Sequence, residues 1–235
     1  MNIFVLHTDP VRAARYHCDR HVVKMTLETA QLLSTALALE NPDQAVQLQA
    51  AGLIYRPTHR NHPCAQWAAE SLANYRWLAR LGLALAEEYS YRYQGRVHKS
   101  AAVIELCAQI AGVGRGEELG TKLTRRKGNS NGNGQPLSNG NRSNDTSHQE
   151  NGSALPAKPT LMLDPSGLVE FAFTRWSARD GLTRFAQAMP EQYRREDAVA
   201  AYRGYYMGEK LPICKWTRRK RPRWLNANVN EQTSA

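Results

Sequence analysis

Apolar residues along the chain recur at helical spacing. Val22, Val23, Leu27, Leu32 and Leu33 fall within one such run, which predicts a long helix from about Val22 to Leu39. A second run starts at Pro63 and passes through Trp67, Leu72, Trp77, Leu78, Leu81 and Leu85 to about Tyr93. Gly82 lies inside it as a point where the helix can loosen or bend. Asp9-Pro10 has the form of an N-cap followed by proline at the first helical position, so a shorter helix is expected there. Ser100 is placed to cap another over Ala101 to Ala111, and Asp197 to Glu209 reads as a helix carrying Tyr202, Tyr205 and Tyr206. Phe185 to Pro190 reads as a short helix or turn, and Glu40-Asn41-Pro42-Asp43 as an interruption. Ile3–Leu6 is the one stretch with strand character. No period-two alternation builds a sheet.

The helical pattern fails from about Gly112. Gly128-Asn129-Ser130-Asn131-Gly132-Asn133-Gly134 through Asn151-Gly152-Ser153 is almost wholly polar. Such a stretch cannot bury enough apolar surface to offset the entropy of ordering it. The expectation is a mainly α protein with a single helical domain from residues 1–111 and 160–225. A long, flexible Asn/Gly/Ser-rich insertion at 112–159 interrupts it, and a disordered tail follows at 226–235.

Composition adds a partner. The 31 Lys and Arg residues against 21 Asp and Glu give a formal charge of +10, which points to a polyanion, and nucleic acid above all. No segment approaches the ~20 apolar residues of a membrane span. The run Met1–Leu6 is too short for a secretory signal. The four cysteines are scattered without a C-x-x-C pair, as in a reducing compartment, so a cytoplasmic protein is expected.

Candidate chemistry falls in five clusters. On one continuous helix His17, His21, Lys24, Glu28 and Gln31 would share a stripe, with Cys18 beside it. So many imidazoles on one stripe favour a cleft-lining face over a solvated one. Next, Thr58-His59-Arg60-Asn61-His62-Pro63-Cys64 leads into a helix N-terminus, where free N–H groups and the dipole suit a phosphate. A third cluster joins Arg92, in Glu88-Tyr89-Ser90-Tyr91-Arg92-Tyr93, to His98-Lys99-Ser100. Fourth, Tyr202, Arg203, Tyr205, Tyr206 and Lys210 mix aromatics with cations, as base stacking and core packing both do. Last, Lys215, Trp216, Arg218, Arg219, Lys220 and Arg221 begin a basic segment ending at Trp224, read as a phosphate contact. The tryptophans either dock it or stack on bases.

His17-x-x-x-His21 has the spacing of zinc ligands, but no glutamate follows the first histidine and Lys24 opposes a divalent ion. No metal is expected. Walker, dinucleotide-binding and G-x-S-x-G motifs are absent, and no cofactor is expected.

The opening Met1–Leu6, the run Tyr16-His17-Cys18-Asp19-x-His21-Val22-Val23-Lys24-Met25 and the turn Asn61-His62-Pro63-Cys64 together resemble a group of small phage-type proteins. So do Asn74-Tyr75-x-Trp77-Leu78, Ala188-Met189-Pro190 and Tyr202-Arg203-x-Tyr205-Tyr206. The family is similar to the amino acid:DNA transferases of thymidine hypermodification in tailed phages, a modification that protects viral DNA from host restriction. The resemblance implies that the phosphate of 5-phosphomethyl-deoxyuridine in DNA is displaced by the amine of a free amino acid. The partners would then be DNA and the amino acid donor.

The residue inventory suits that reaction. The leaving phosphate needs cations, which His59, Arg60, His62, Arg92, His98 or Lys99 could supply. The incoming amine must lose a proton, for which His17 or His21 would serve. The acceptor base must leave the duplex stack. A Cys18 thiolate adding to C6 of the pyrimidine would help expel the phosphate, whereas the plain reading of Cys18 is a small buried residue. Two other readings stay open at this point. A DNA glycosylase or nuclease on the same scaffold would break or depyrimidinate plain DNA. A non-enzymatic DNA-binding protein would lose only folding or affinity when its histidines are replaced.

Overall fold

A computed structural model describes residues 1–114, 170–176 and 181–226. The described residues all fall in one compact unit, formed by Met1–Arg115 and Pro159–Ala235. The expected insertion and tail lie almost wholly outside the described residues.

The mainly α expectation holds: seven α-helices and no strand occur among the described residues. They are α1 (Pro10–Tyr16), α2 (Asp19–Glu40), α3 (Pro42–Ala50), α4 (Pro63–Ala68), α5 (Leu72–Arg92), α6 (Ala101–Ile110) and α7 (Ala198–Tyr205). The two long helices form the centre: α5 packs against α1, α2, α4 and α6, and α2 packs also against α3, α4 and α6. From α2 the residues Val22, Met25, Leu32, Leu33 and Leu37 are buried, and from α5 Tyr75, Leu78, Leu81 and Leu85. No described helix is long and apolar enough to cross a membrane.

Capping explains the helix boundaries. Asp9 accepts the Arg12 N–H at 2.8 Å with Pro10 in the first turn of α1, as expected. Asn41-Pro42, read as an interruption, repeats the same device: Asn41 Oδ1 accepts the Gln44 N–H at 3.2 Å and opens α3. The run expected to be continuous from Pro63 to Tyr93 is two helices. Ser71 has an extended backbone and its Oγ accepts the Asn74 N–H at 3.1 Å, starting α5 anew. Phe185 to Pro190 contains no helix; a 3₁₀ turn, Glu191–Tyr193, follows it. After Tyr205 the chain continues in a π-helical turn, Tyr206–Lys210.

Ile3–Leu6 is not a strand. Phe4 has φ +33°, Asn2 Oδ1 accepts both the Ile3 and Phe4 N–H groups, and the Leu6 N–H closes on Phe4 O at 2.7 Å. This local bonding takes the donors that a ladder would need. The apolar character of the stretch reflects burial, since Ile3, Val5 and Leu6 are fully enclosed.

Gly82 does not break α5. It is the notch at which α5 meets α2 and α6: a Cβ there would stand 2.8 Å from Thr29 Cγ2 and 2.9 Å from Ile104 Cγ2. Helix propensity alone makes Gly→Ala stabilising by about 1 kcal/mol, but overpacking costs about 1–3 kcal/mol. Because α2 and α6 would both have to yield, Gly82→Ala is expected to lower the urea midpoint of unfolding. A raised midpoint would show that the notch is slack.

Candidate functional site

The site begins with a break in the chain. His17 ends α1 and Cys18, with extended backbone, caps α2, so His17 is outside the helix that carries His21, Lys24, Glu28 and Gln31. The expected five-residue stripe is therefore four residues long. The buried guanidinium of Arg92 holds the break. Its Nη1 donates to His17 O at 2.7 Å and to Asp19 Oδ1 at 3.1 Å, and its Nη2 to Arg15 O at 3.1 Å. Glu88 Oε2 accepts from Nε at 3.0 Å and pairs with Nη2 at 3.0 Å. Every nitrogen of the guanidinium is engaged within the fold, so Arg92, expected to bind phosphate, braces the junction of α1, α2 and α5.

The His17 ring is fully buried. Nδ1 donates to Ala13 O at 2.7 Å, which leaves Nε2 as the lone-pair nitrogen, buried and without a partner among the described residues. Burial pushes its pKa down to about 3. His21 lies against it, stacked on Phe4 at 4.9 Å and edge-on to Tyr206 at 5.0 Å. Burial, then Lys24 and Lys210, push His21 down to about 4. Both rings are neutral at neutral pH. Cys18 is also enclosed, and its backbone N–H donates to the Tyr206 hydroxyl at 2.9 Å.

Two turns beyond His21 on the same side of α2 lies Glu28, whose side chain is 12% exposed. Its Oε2 accepts the Asn2 N–H at 2.9 Å, and Oε1 is 3.4 Å from Nζ of the exposed Lys24. The Asn2 amide in turn donates to Ala188 O at 2.8 Å, so the second half of the chain supports this corner. Glu28, His59 and the positive charge at Met1 all lie within electrostatic reach of His62. Lys24, Glu28, His59 and His62, from two sequence clusters, thus meet at one surface beside Asn2, which the sequence reading missed. Nothing in the residue pattern near Asn2 signals it, because its role comes from long-range packing.

Arg60 is exposed in the same loop, and Thr35 ties that loop to α2 through Thr58 N–H at 3.1 Å. The His62 ring caps α4 itself, its Nδ1 accepting the Cys64 N–H at 3.1 Å. With one donor taken and only six residues in α4, the phosphate reading moves from the helix end to the side chains of the loop. His98 bridges elements: its Nδ1 accepts the Ser100 N–H at 3.1 Å and its ring reaches the Val23 carbonyl. Lys99 beside it is exposed.

The aromatic residues read as DNA contacts are inside. Tyr202 and Tyr206 are fully buried, and Tyr202 Oη donates to Ala186 O at 2.7 Å. Arg203 donates to Leu6 O at 3.0 Å and lies over the rings of Tyr16 and Trp224. Lys210 sits over Tyr205, 4.6 Å from the ring centre. Trp216 docks its segment by donating Nε1–H to Tyr16 O at 3.2 Å. The basic segment divides by role. Arg219 makes a forked contact with Glu88, and the Thr217 N–H donates to Asp19 Oδ2 at 2.9 Å. Lys215, Arg218, Lys220 and Arg221 keep exposed side chains.

Cavities include one of about 350 Å³ between α4 and Arg175, Arg184 and Ala186, and another of about 490 Å³ around Cys214. On the α2 face Val23, Lys24 and Leu27 are exposed. Among the described residues no group of three or more His, Cys, Asp or Glu side chains is disposed to hold a metal.

The α2 face thus carries the exposed Lys24 beside the Glu28 carboxylate, on a helical scaffold. Residues 1–100 match the family model described as pyrimidine dimer DNA glycosylase. Over those residues the chain is similar to enzymes that act on DNA. No curated protein and no solved structure matches the chain.

Two outcomes follow. Because the folded pKa of His17 and His21 lies below the ordinary value of 6.5, the unfolded chain binds more protons in acid. Their contribution to stability is full above about pH 6.5 and falls as the pH drops towards about 4 for His21 and about 3 for His17. His17→Leu should flatten the acid limb of a stability–pH curve; an unchanged slope would mean the ring is not held neutral. Separately, Arg219→Ala should cost about 1–3 kcal/mol by leaving Glu88 underpaired. Lys220→Ala should leave stability within about 0.5 kcal/mol of the parent and lower the salt slope of DNA binding by about one. Equal effects in both assays would erase the division.

Proposed function

We propose that the chain modifies a pyrimidine of DNA at the α2 face, transferring the amine of a free amino acid to 5-phosphomethyl-deoxyuridine. The observation that carries this reading is the placement of Glu28: one carboxylate, held by Asn2 and Lys24, at the edge of the His59–His62 loop. As the C–N bond forms, the C–O bond to phosphate breaks and the phosphate leaves with the bonding pair. Lys24, His59, Arg60 and His62 stand where such an anion is stabilised. The proton lost by the amine passes to Glu28, because the His17 ring is fully enclosed and burial holds it down to about 3. The exposed Lys99, Lys215, Arg218, Lys220 and Arg221 supply phosphate contacts for the duplex. The motifs that resemble the transferases come from both halves of the chain, and those halves pack together at Asn2–Ala188, Cys18–Tyr206 and Asp19–Lys215.

The match of residues 1–100 favours a second reading, excision of a damaged pyrimidine at the same face. Both reactions need the base extruded and a proton moved by Glu28. They part in the product. DNA containing 5-phosphomethyl-deoxyuridine, plain DNA and ultraviolet-irradiated DNA would each be incubated with the protein and mixed amino acids, then digested for nucleoside mass spectrometry. Transfer gives a thymidine adduct carrying one amino acid, in the phosphorylated substrate alone. Abasic sites or breaks in irradiated DNA, with the phosphorylated base unchanged, would overturn transfer in favour of excision. Glu28→Gln should lower turnover about 10²–10⁴-fold, the range for a positioned acid–base group.

A further inference from the structure

Behind the α2 face lies a pair of nucleophiles that the proposed transfer does not use. Cys18, at the start of α2, and Cys214, in the C-terminal segment, are neighbours whose thiols act on each other's ionisation. One residue further on, the Asp19 N–H donates to Lys215 O at 2.8 Å, so the two backbones run together at this point. The Tyr206 hydroxyl accepts the Cys18 N–H at 2.9 Å beside the pair. The pair differs in access. Cys18 is fully enclosed, whereas Cys214 is half-buried and lines the cavity of about 490 Å³ with Leu211, Lys215, Trp216, Thr217 and Arg221.

We infer that Cys18 and Cys214 form a dithiol–disulfide couple, oxidised through Cys214 by an anionic low-molecular-weight disulfide that enters the cavity between Lys215 and Arg221. The chemistry follows from the two exposures. Cys214 sulfur bonds to one sulfur of the small disulfide and expels the other, which takes up the Cys214 proton and leaves through the cavity as a thiol, while Cys18 stays a thiolate. Its thiolate then attacks the Cys214 sulfur, forming the Cys18–Cys214 bond and releasing the second small thiolate. Two protein thiols are oxidised and one small disulfide is reduced to two thiols. The contact between the two thiols opposes burial at Cys18 and holds it down to about 6 while pushing Cys214 up, so the thiolate of the pair sits at Cys18, the resolving residue. Cys64 and Cys107, by contrast, are enclosed and pushed up to about 12 by burial. They serve as internal controls. The bond would fasten the C-terminal segment, with its exposed cations, to the start of α2.

The test uses the intact protein with glutathione disulfide as the probe. After exposure it is denatured, alkylated and mapped by peptide mass spectrometry. Two of the four cysteines should escape alkylation, recovered as one Cys18–Cys214 linked peptide, while Cys64 and Cys107 remain alkylated. Cys18→Ser should stop at glutathione on Cys214. Cys214→Ser should leave Cys18 fully alkylated, because the small disulfide cannot reach it. An uncharged disulfide should react several-fold more slowly at low salt, a gap that closes as salt rises. Thermal unfolding of each variant first establishes that it is folded. Alkylation of all four cysteines after exposure overturns the inference, as does glutathione persisting on Cys214 in the parent protein. Oxidation of Cys64 or Cys107 at the same rate would overturn it too.

Discussion

The arrangement depends on one buried guanidinium. Arg92 joins the end of α1, the start of α2 and its own helix, and its partners Asp19 and Glu88 also receive the C-terminal segment through Thr217 and Arg219. Two carboxylates thus face two guanidiniums, and the cluster is close to neutral. A buried pair gains little over an apolar replacement of the same shape, because desolvation offsets attraction. Removing one member is different, since the remaining charges are left in a low-dielectric setting at about 3–5 kcal/mol. The cluster therefore fixes geometry more than it adds stability. It determines that His17 turns inward and that α2 starts at Asp19, and hence which residues of α2 face out.

That geometry divides the histidines by environment. His17 and His21 lie in the aromatic group of Phe4 and Tyr206, where burial keeps them uncharged. His62 is only part-buried, and Glu28 counteracts part of its lowering. His98 is tied on both ring nitrogens. Four histidines of similar appearance in the sequence thus have different environments, and of these four His62 is the one that feels the Glu28 carboxylate. The scaffold spends most of its aromatic surface on packing. The open face is left with cations, one acid and two exposed apolar side chains, Val23 and Leu27.

Much of the helical order was legible because it rests on local chemistry: Asp9-Pro10 and the apolar runs mark α1, α2 and α5 directly. Asn41-Pro42 and Ser71 are equally local signals, yet each can be read as a stop or as a start, and only tertiary packing distinguishes the two. The functional residues divide the same way. Lys24, Glu28, His59 and His62 were visible as polar clusters, but their meeting depends on the Thr35–Thr58 contact and the path of the chain at Asn2. The tyrosines of the Tyr202–Tyr206 run and Arg92 were assigned to ligand contact because alternating aromatics and cations describe a stacking surface and a cross-braced core equally well. No residue pattern states which side of a helix the remainder of the chain covers.

Charge sharing ties these points together. Arg219 is withdrawn from any phosphate by Glu88, and Arg203 by Leu6 O and the rings of Tyr16 and Trp224. The net charge of +10 therefore overstates the cations available to nucleic acid. Exposed cations include Arg60 in the loop beside Glu28, Lys99, and those of the C-terminal segment, whose position is set by the bonds to Asp19 and Glu88. A polyanion held by that segment engages residues fixed to both α2 and α5. The C-terminal segment and the start of α2 thus depend on the same brace, although Arg92 itself is buried.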